Sequence, residues 1–188
     1  RASVRAKLDD MDGALADLLT GWSELTGGRD YADAGLVTVV HATLGERALG
    51  TTPGVATAVA TLRAADESVM ATLSERCVEL AREAAAEHGL EMRHGWHEEF
   101  PCTVNDPDAV AIVEKAAEGA GLSCVRRDAP FLWTEDFGHF TAAFPGALSG
   151  LGAGEETPAL HHPEYRFPDE LIHIGARLLE GIVRLTNG

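Results

Sequence analysis

Three short segments concentrate the residue types that carry acid–base or metal chemistry. HGWHEEF holds His94, His97, Glu98 and Glu99. TEDFGHF sets the adjacent acids Glu135 and Asp136 among Phe131, Trp133, Phe137 and Phe140. Carboxylates amid aromatic rings can have shifted pKa values or line a pocket. ALHHPEYRF places His161 and His162 on a loop stiffened by Pro163 and flanked by Tyr165 and Phe167. Neutral imidazole is a common ligand for zinc and similar ions.

Each segment also has a plainer reading. If residues 90–100 form a strand, His94 and His97 point to opposite faces. The segment also lacks the H-E-x-x-H spacing that puts two His on one helix face, so a solvated strand end accounts for it. Glu135 and Asp136 fit the first turn of a helix capped by Thr134, a role compatible with lining a pocket. Tandem His pairs also occur on surface loops, and no Asp, Glu, His or Cys set lies near His161 at convincing ligand spacing. Of the remaining imidazoles, His41 reads as a structural strand residue. His88 suits the negative end of a helix, and His173 reads as a packing or surface residue.

The 188-residue chain bounds the function classes. It has 15 Lys plus Arg against 30 Asp plus Glu, a net charge of −15, and stays acidic even with all 8 His protonated. That argues against the basic face a nucleic-acid binder needs to displace phosphate counterions. It also argues against an anionic membrane surface. No apolar run approaches the roughly 18 residues of a membrane span, and RASVRAKLDD has no apolar core of a signal peptide. Three dispersed cysteines, Cys77, Cys102 and Cys124, form no disulfide framework and no C-x-x-C pair. They fit a reducing compartment, and the expected location is cytoplasmic.

The elements that must position these residues follow from periodicity. Leu8, Met11, Leu15, Leu18, Leu19, Trp22 and Leu25 form one helical stripe, stopped by Gly27-Gly28. LVTVVHAT (36–43) and VATAVATLR (55–63) are β-rich and predict two antiparallel strands. Val69, Leu73, Cys77, Leu80 and Ala84 mark a helix over 66–88, and 90–100 predicts a third strand. The order α-β-β-α-β is a split, ferredoxin-like pattern lacking its first strand, which would lie just before residue 1. The absence of a Met at position 1 adds to the expectation of a fragment or a processed chain. Beyond residue 100, Asn105 or Asp106 before Pro107 signals a helix start. That helix runs to about Gly119. LSCVRR and ALSGLGAG predict short strands, and 130–144 a loop opening a short helix. A last helix starts near Pro168, with Asp169 and Glu170 at its positive end and Leu171, Ile174, Leu178, Ile182 and Leu185 as its stripe.

Several of these segments together resemble the C-terminal half of the hippurate hydrolase branch of the aminoacylase–carboxypeptidase metallopeptidases. They are LVTVVHATLGERALGTTPGVATAVATLR, FPCTVNDPDAV, LWTEDFGHF, PGALSGLGAGE and ALHHPEYRFPDELIHIGARLL, in the family's order and spacing. The resemblance implies an α/β fold. Residues 1–100 would be most of an α+β lid and dimerisation domain, and residues 101–188 the C-terminal part of an α/β catalytic domain.

It further implies a metal-dependent amidohydrolase acting on N-acyl amino acids or similar small amides. The complete enzyme would hold two divalent ions (zinc, manganese, cobalt or nickel) and form a homodimer through the lid. The one metal ligand carried over is His161, with His162 its neighbour. Glu135 and Asp136 would line the substrate side. The general base and remaining ligands would belong to an absent N-terminal half, so the chain alone is expected to be inactive. RASVRAKLDD lacks the His by which the family's lid often reaches the substrate. The rival reading is a truncated or degenerate dimerisation module without catalysis.

Overall fold

A computed structural model of the chain describes residues 10–26, 35–127, 129–131, 133 and 135–188. The chain divides into two compact units, Arg1–Cys102 and Thr103–Gly188. Among the described residues no helix is long and apolar enough to cross a membrane.

The first unit sets two helices against a two-stranded sheet. Helix α1 spans Met11–Leu25, strand β1 Leu36–Leu44, strand β2 Ala56–Arg63 and helix α2 Glu67–Glu87. The strands are antiparallel, in register from Leu36↔Arg63 to Leu44↔Ala56, with an irregularity between Val39 and His41. The two strands and the first two helices therefore stand as their periodicity predicts, although residues 8–9 and Gly27-Gly28 fall outside the described residues. Asp66 starts α2 sharply: its side chain accepts from the N–H groups of Ser68 and Val69 at 2.8 and 3.0 Å, satisfying donors with no partner inside the helix.

Of the predicted stripe of α2, Leu73, Cys77 and Ala84 are buried, and Val69 and Leu80 are half-buried. Leu73 and Cys77 join Val37 of β1 in a small core, with Trp22, Leu25, Ala60 and Leu62 packed around it. Trp22 keeps its polar edge satisfied there by donating from Nε1 to the Cys77 carbonyl at 3.0 Å. Gly35, at φ +70°, turns the chain into β1. A Cβ there would lie 2.7 Å from the Arg63 carbonyl oxygen and 2.9 Å from Leu73 Cδ2, so a side chain is excluded both by space and by left-handed backbone.

His88 at the end of α2 fits between two carboxylates of α1. Its Nε2 lies 2.8 Å from Asp17 Oδ2. Its Nδ1 lies 2.9 Å from Asp10 Oδ2, an ion-pair contact without hydrogen-bond alignment. Gly13 makes room for the ring, because a Cβ there would approach His88 Cε1 to 2.8 Å. Asp17 first and Asp10 second raise the His88 pKa above its ordinary value, against the opposing effect of desolvation.

The third strand expected over 90–100 is not formed. The segment has no regular secondary structure, and Glu98 stands at φ +54°, which breaks a strand's backbone. No strand among the described residues pairs with it, and a strand without a ladder leaves its backbone groups unpaired. His94 and His97 are therefore not set on opposite faces of a strand. His94 instead meets Trp96 edge-on, with centroids 6.1 Å apart. The segment ends where the Cys102 N–H donates to the Glu67 carboxylate at 2.7 Å.

The second unit is helical. Helix α3 spans Pro107–Gly119, α4 Gly138–Ala143 and α5 Glu170–Asn187. Between the two candidate caps for α3 the structure selects Asp106, which accepts from the Ala109 N–H at 2.9 Å. Helices α3 and α5 pack together. Their crossing is at small residues, since a Cβ on Gly181 would lie 3.3 Å from Ala116 Cβ. Of the α5 stripe, Leu171, Ile174, Leu178 and Ile182 are half-buried, while Leu185 is exposed. The short strands expected at 122–127 and 147–154 are irregular instead, again without a ladder partner among the described residues.

Candidate functional site

The chemistry-bearing residues of the second unit sit on two loops. Glu135 and Asp136 are both exposed and lie before α4, not within its first turn. The expected cap, Thr134, lies outside the described residues, and the N-cap position is Phe137, which makes no side-chain capping bond. Helix-terminus capping thus does not explain the two acids. Aromatic contacts flank them in sequence. Phe131 and Trp133 stack with centroids 4.0 Å apart and planes 11° from parallel. The Arg127 guanidinium lies 4.8 Å from the Phe131 centroid, a cation–π contact. Phe137 and Phe140 follow at 5.7 Å.

The His161 loop is a series of tight turns. Thr157 Oγ1 donates to the Ala153 carbonyl at 2.7 Å. The His162 N–H donates to the Ala159 carbonyl at 3.0 Å, and the Tyr165 N–H to the His162 carbonyl at 2.9 Å. His161 occupies left-handed backbone at φ +71°, a conformation rare for a residue with a side chain. Both imidazoles are exposed. Among the described residues no hydrogen bond engages the His161 ring, whereas His162 Nδ1 accepts from the Glu164 N–H at 3.2 Å.

One anchor of this unit was hidden in the sequence. Asn105, read there only as an alternative helix cap, clamps the backbone of Leu148: Nδ2 donates to its carbonyl at 2.9 Å and Oδ1 accepts its N–H at 2.8 Å. The Asp106 N–H donates to the Gly146 carbonyl beside it at 2.9 Å. A cavity of about 410 Å³ opens there, lined by Asn105, Asp106, Thr141, Phe144 and Pro145. Glu135, Asp136 and His161 are not part of it. No local spacing signals a clamp 43 residues long, so sequence reasoning could not have found it.

A metal ion needs several converging donors. Among the described residues no group of three or more His, Cys, Asp and Glu is placed to hold one. Glu135, Asp136, His139 and His161 are therefore not gathered into a site. The chain presents a ligand-competent imidazole and two exposed acids, but the described residues do not fit a bound ion by themselves.

Comparison with known proteins places these elements in a family. The profile of Peptidase family M20/M25/M40 matches residues 12–185, and the chain belongs to that family. The fold is that of a solved Bacillus subtilis protein, YXEP, described as a dinuclear metal binding peptidase from the M20 family. The TM-score is 0.72 at 19% identity, over 96% of this chain and 47% of that one. An uncharacterized hydrolase of Staphylococcus epidermidis is 31% identical over 100 residues, covering 53% of this chain and 26% of that protein. A Rhodococcus jostii protein that carries a glutamate–cysteine ligase 2-3 name is 28% identical over 186 residues, covering 95% of this chain and 23% of its own length. The chain thus spans about a quarter of the curated relatives it matches.

Proposed function

We propose that this chain is the C-terminal half of a metal-dependent amidohydrolase that cleaves the amide bond of N-acyl amino acids or similar small amides. The observation that carries the reading is the His161 loop of an M20 family chain, which presents an exposed imidazole whose ring makes no hydrogen bond among the described residues. His161 would be one ligand of a pair of divalent ions, zinc, manganese, cobalt or nickel. The other ligands and the general base would come from residues outside this chain. The Bacillus protein described as a dinuclear metal binding peptidase supports this, because this chain covers 47% of it. Glu135 and Asp136, exposed and free of a capping role, would face the substrate. Residues 1–100 would serve as the lid and residues 101–188 as part of the catalytic domain. The reading also keeps a homodimer through the lid and a cytoplasmic location.

The rival, a non-catalytic dimerisation module, is favoured by one observation, the absence of a ligand group among the described residues. Measurements on the chain test the missing ligands, and measurements on the longer protein separate the readings. The 188-residue chain with excess zinc or manganese should show no turnover of N-acetyl or N-benzoyl amino acids and no stoichiometric ion. In the longer protein that carries this chain, His161→Ala should abolish turnover and lower the metal content, with His162→Ala less harmful. Full activity and full metal content in that His161→Ala protein would exclude the assignment. A longer protein with neither metal nor turnover would favour the rival.

A further inference from the structure

We infer that His162 is the positioning residue of the His161 loop: its imidazole, fixed as the Nε2–H tautomer, braces across Pro163 the turn that presents His161. The inference rests on the reading of His161 as the functional imidazole of this loop. It is drawn from the three hydrogen bonds that His162 makes. Its N–H donates to the Ala159 carbonyl at 3.0 Å and its carbonyl accepts from the Tyr165 N–H at 2.9 Å. Its Nδ1 accepts from the Glu164 N–H at 3.2 Å.

The third bond decides the chemistry. Pro163 has no N–H, so the first backbone donor after His162 is that of Glu164. A side-chain acceptor reaching the N–H two residues on is the arrangement by which Asn and Asp close a turn. Here a ring nitrogen does it. A nitrogen that accepts carries the lone pair, so in the neutral ring the proton sits on Nε2. His162 is therefore left with an N–H to offer outward, and its acceptor nitrogen is already engaged.

His161 is the opposite case. Its ring is uncommitted among the described residues, and its backbone stands at φ +71°. Left-handed backbone at a residue with a Cβ persists only where its surroundings over-determine it. The bonds that could do so here converge on the next residue. The two adjacent imidazoles, indistinguishable by type, thus divide their work: one holds the loop and the other is held out by it.

The test uses the metal-free 188-residue chain, ¹⁵N-labelled, with ring nitrogens read by long-range ¹H–¹⁵N correlation at about pH 8, where an ordinary imidazole is neutral. His162 should show the Nε2–H pattern. In His162→Asn, Oδ1 can take the place of Nδ1, so the amide shifts of His161 and Glu164 should be kept. In His162→Ala and His162→Gln the Glu164 amide should exchange about fivefold to tenfold faster, the worth of one ordinary hydrogen bond, and the His161 amide should shift. A His162 ring averaging between tautomers, or Glu164 and His161 amides unmoved in His162→Ala, would overturn the inference. Neither readout involves a metal, so failure of the metal-ligand reading in the longer protein leaves this result standing, and the reverse also holds.

Discussion

Leu73→Ala tests the core on which the first unit depends. Leu73 is 5% exposed and packs against Val37 and Cys77, with Trp22, Leu25 and Leu62 around them. Truncation to Ala removes three carbons and leaves a void, and such changes cost about 2–5 kcal/mol depending on how far the site collapses. Collapse is feasible here, because Trp22, Leu25 and Leu62 are only half-buried and can lean inward. We therefore expect the lower part of the range, about 2–3 kcal/mol. With a urea dependence of about 1.5 kcal/mol/M, the unfolding midpoint of the first unit falls by about 1.3–2 M. The probe is Trp22, whose indole N–H is bonded to the Cys77 carbonyl and reports on this core directly. The control is Leu179→Ala on the solvent side of α5, where Leu179 is 64% exposed and the cost should stay within about 0.5 kcal/mol. A Leu73→Ala penalty below about 1 kcal/mol, or one no larger than that of Leu179→Ala, would refute the assignment of this cluster as the unit's core.

Three further outcomes are expected. The carboxylates around His88 raise its pKa, so its contribution to stability is complete below the unfolded value of about 6.5 and declines as pH rises through the folded value. Asp66 and Glu114 have lowered pKa values, from the Ser68 hydrogen bond and the Arg126 guanidinium respectively, so their contributions hold above the unfolded values and decline as pH falls. Urea midpoints measured across pH should show His88→Ala removing the near-neutral decline and leaving the acid side unchanged. Burial pushes the Cys77 thiol up to about 11, while Cys124 is exposed; alkylation of the native chain should label Cys124 first, and equal rates at the two thiols would contradict the burial. Asp106→Ala should cost about 1 kcal/mol because it removes a bonded helix cap, whereas Asp169, which makes no capping bond, should cost a few tenths of that when replaced, as read by thermal unfolding.

What the sequence determined by itself is local. The stripe Val69, Leu73, Cys77, Leu80 and Ala84 made α2 legible because helical periodicity repeats within a few residues. The β-branched run at 36–43 and its partner at 55–63 were legible because a short connection forces neighbouring strands to pair. Pro107 after an Asx residue marked the start of α3. The LHHPEY and EDF segments made the family recognisable, since a motif is a local pattern too.

Tertiary structure decided whatever needs a distant partner. A strand exists only with a ladder, so 90–100, which reads as a strand by composition, remains irregular where nothing described pairs with it. Asp17 meets His88 across 71 residues, and Asn105 clamps Leu148 across 43. No spacing rule reaches that far, because the chain must first be folded for the groups to meet. The same limit separates the two imidazoles of ALHHPEYRF. Their sequence context is shared, and only the backbone angle at His161 and the Glu164 N–H on His162 Nδ1 distinguish the ring left uncommitted from the ring that anchors the turn.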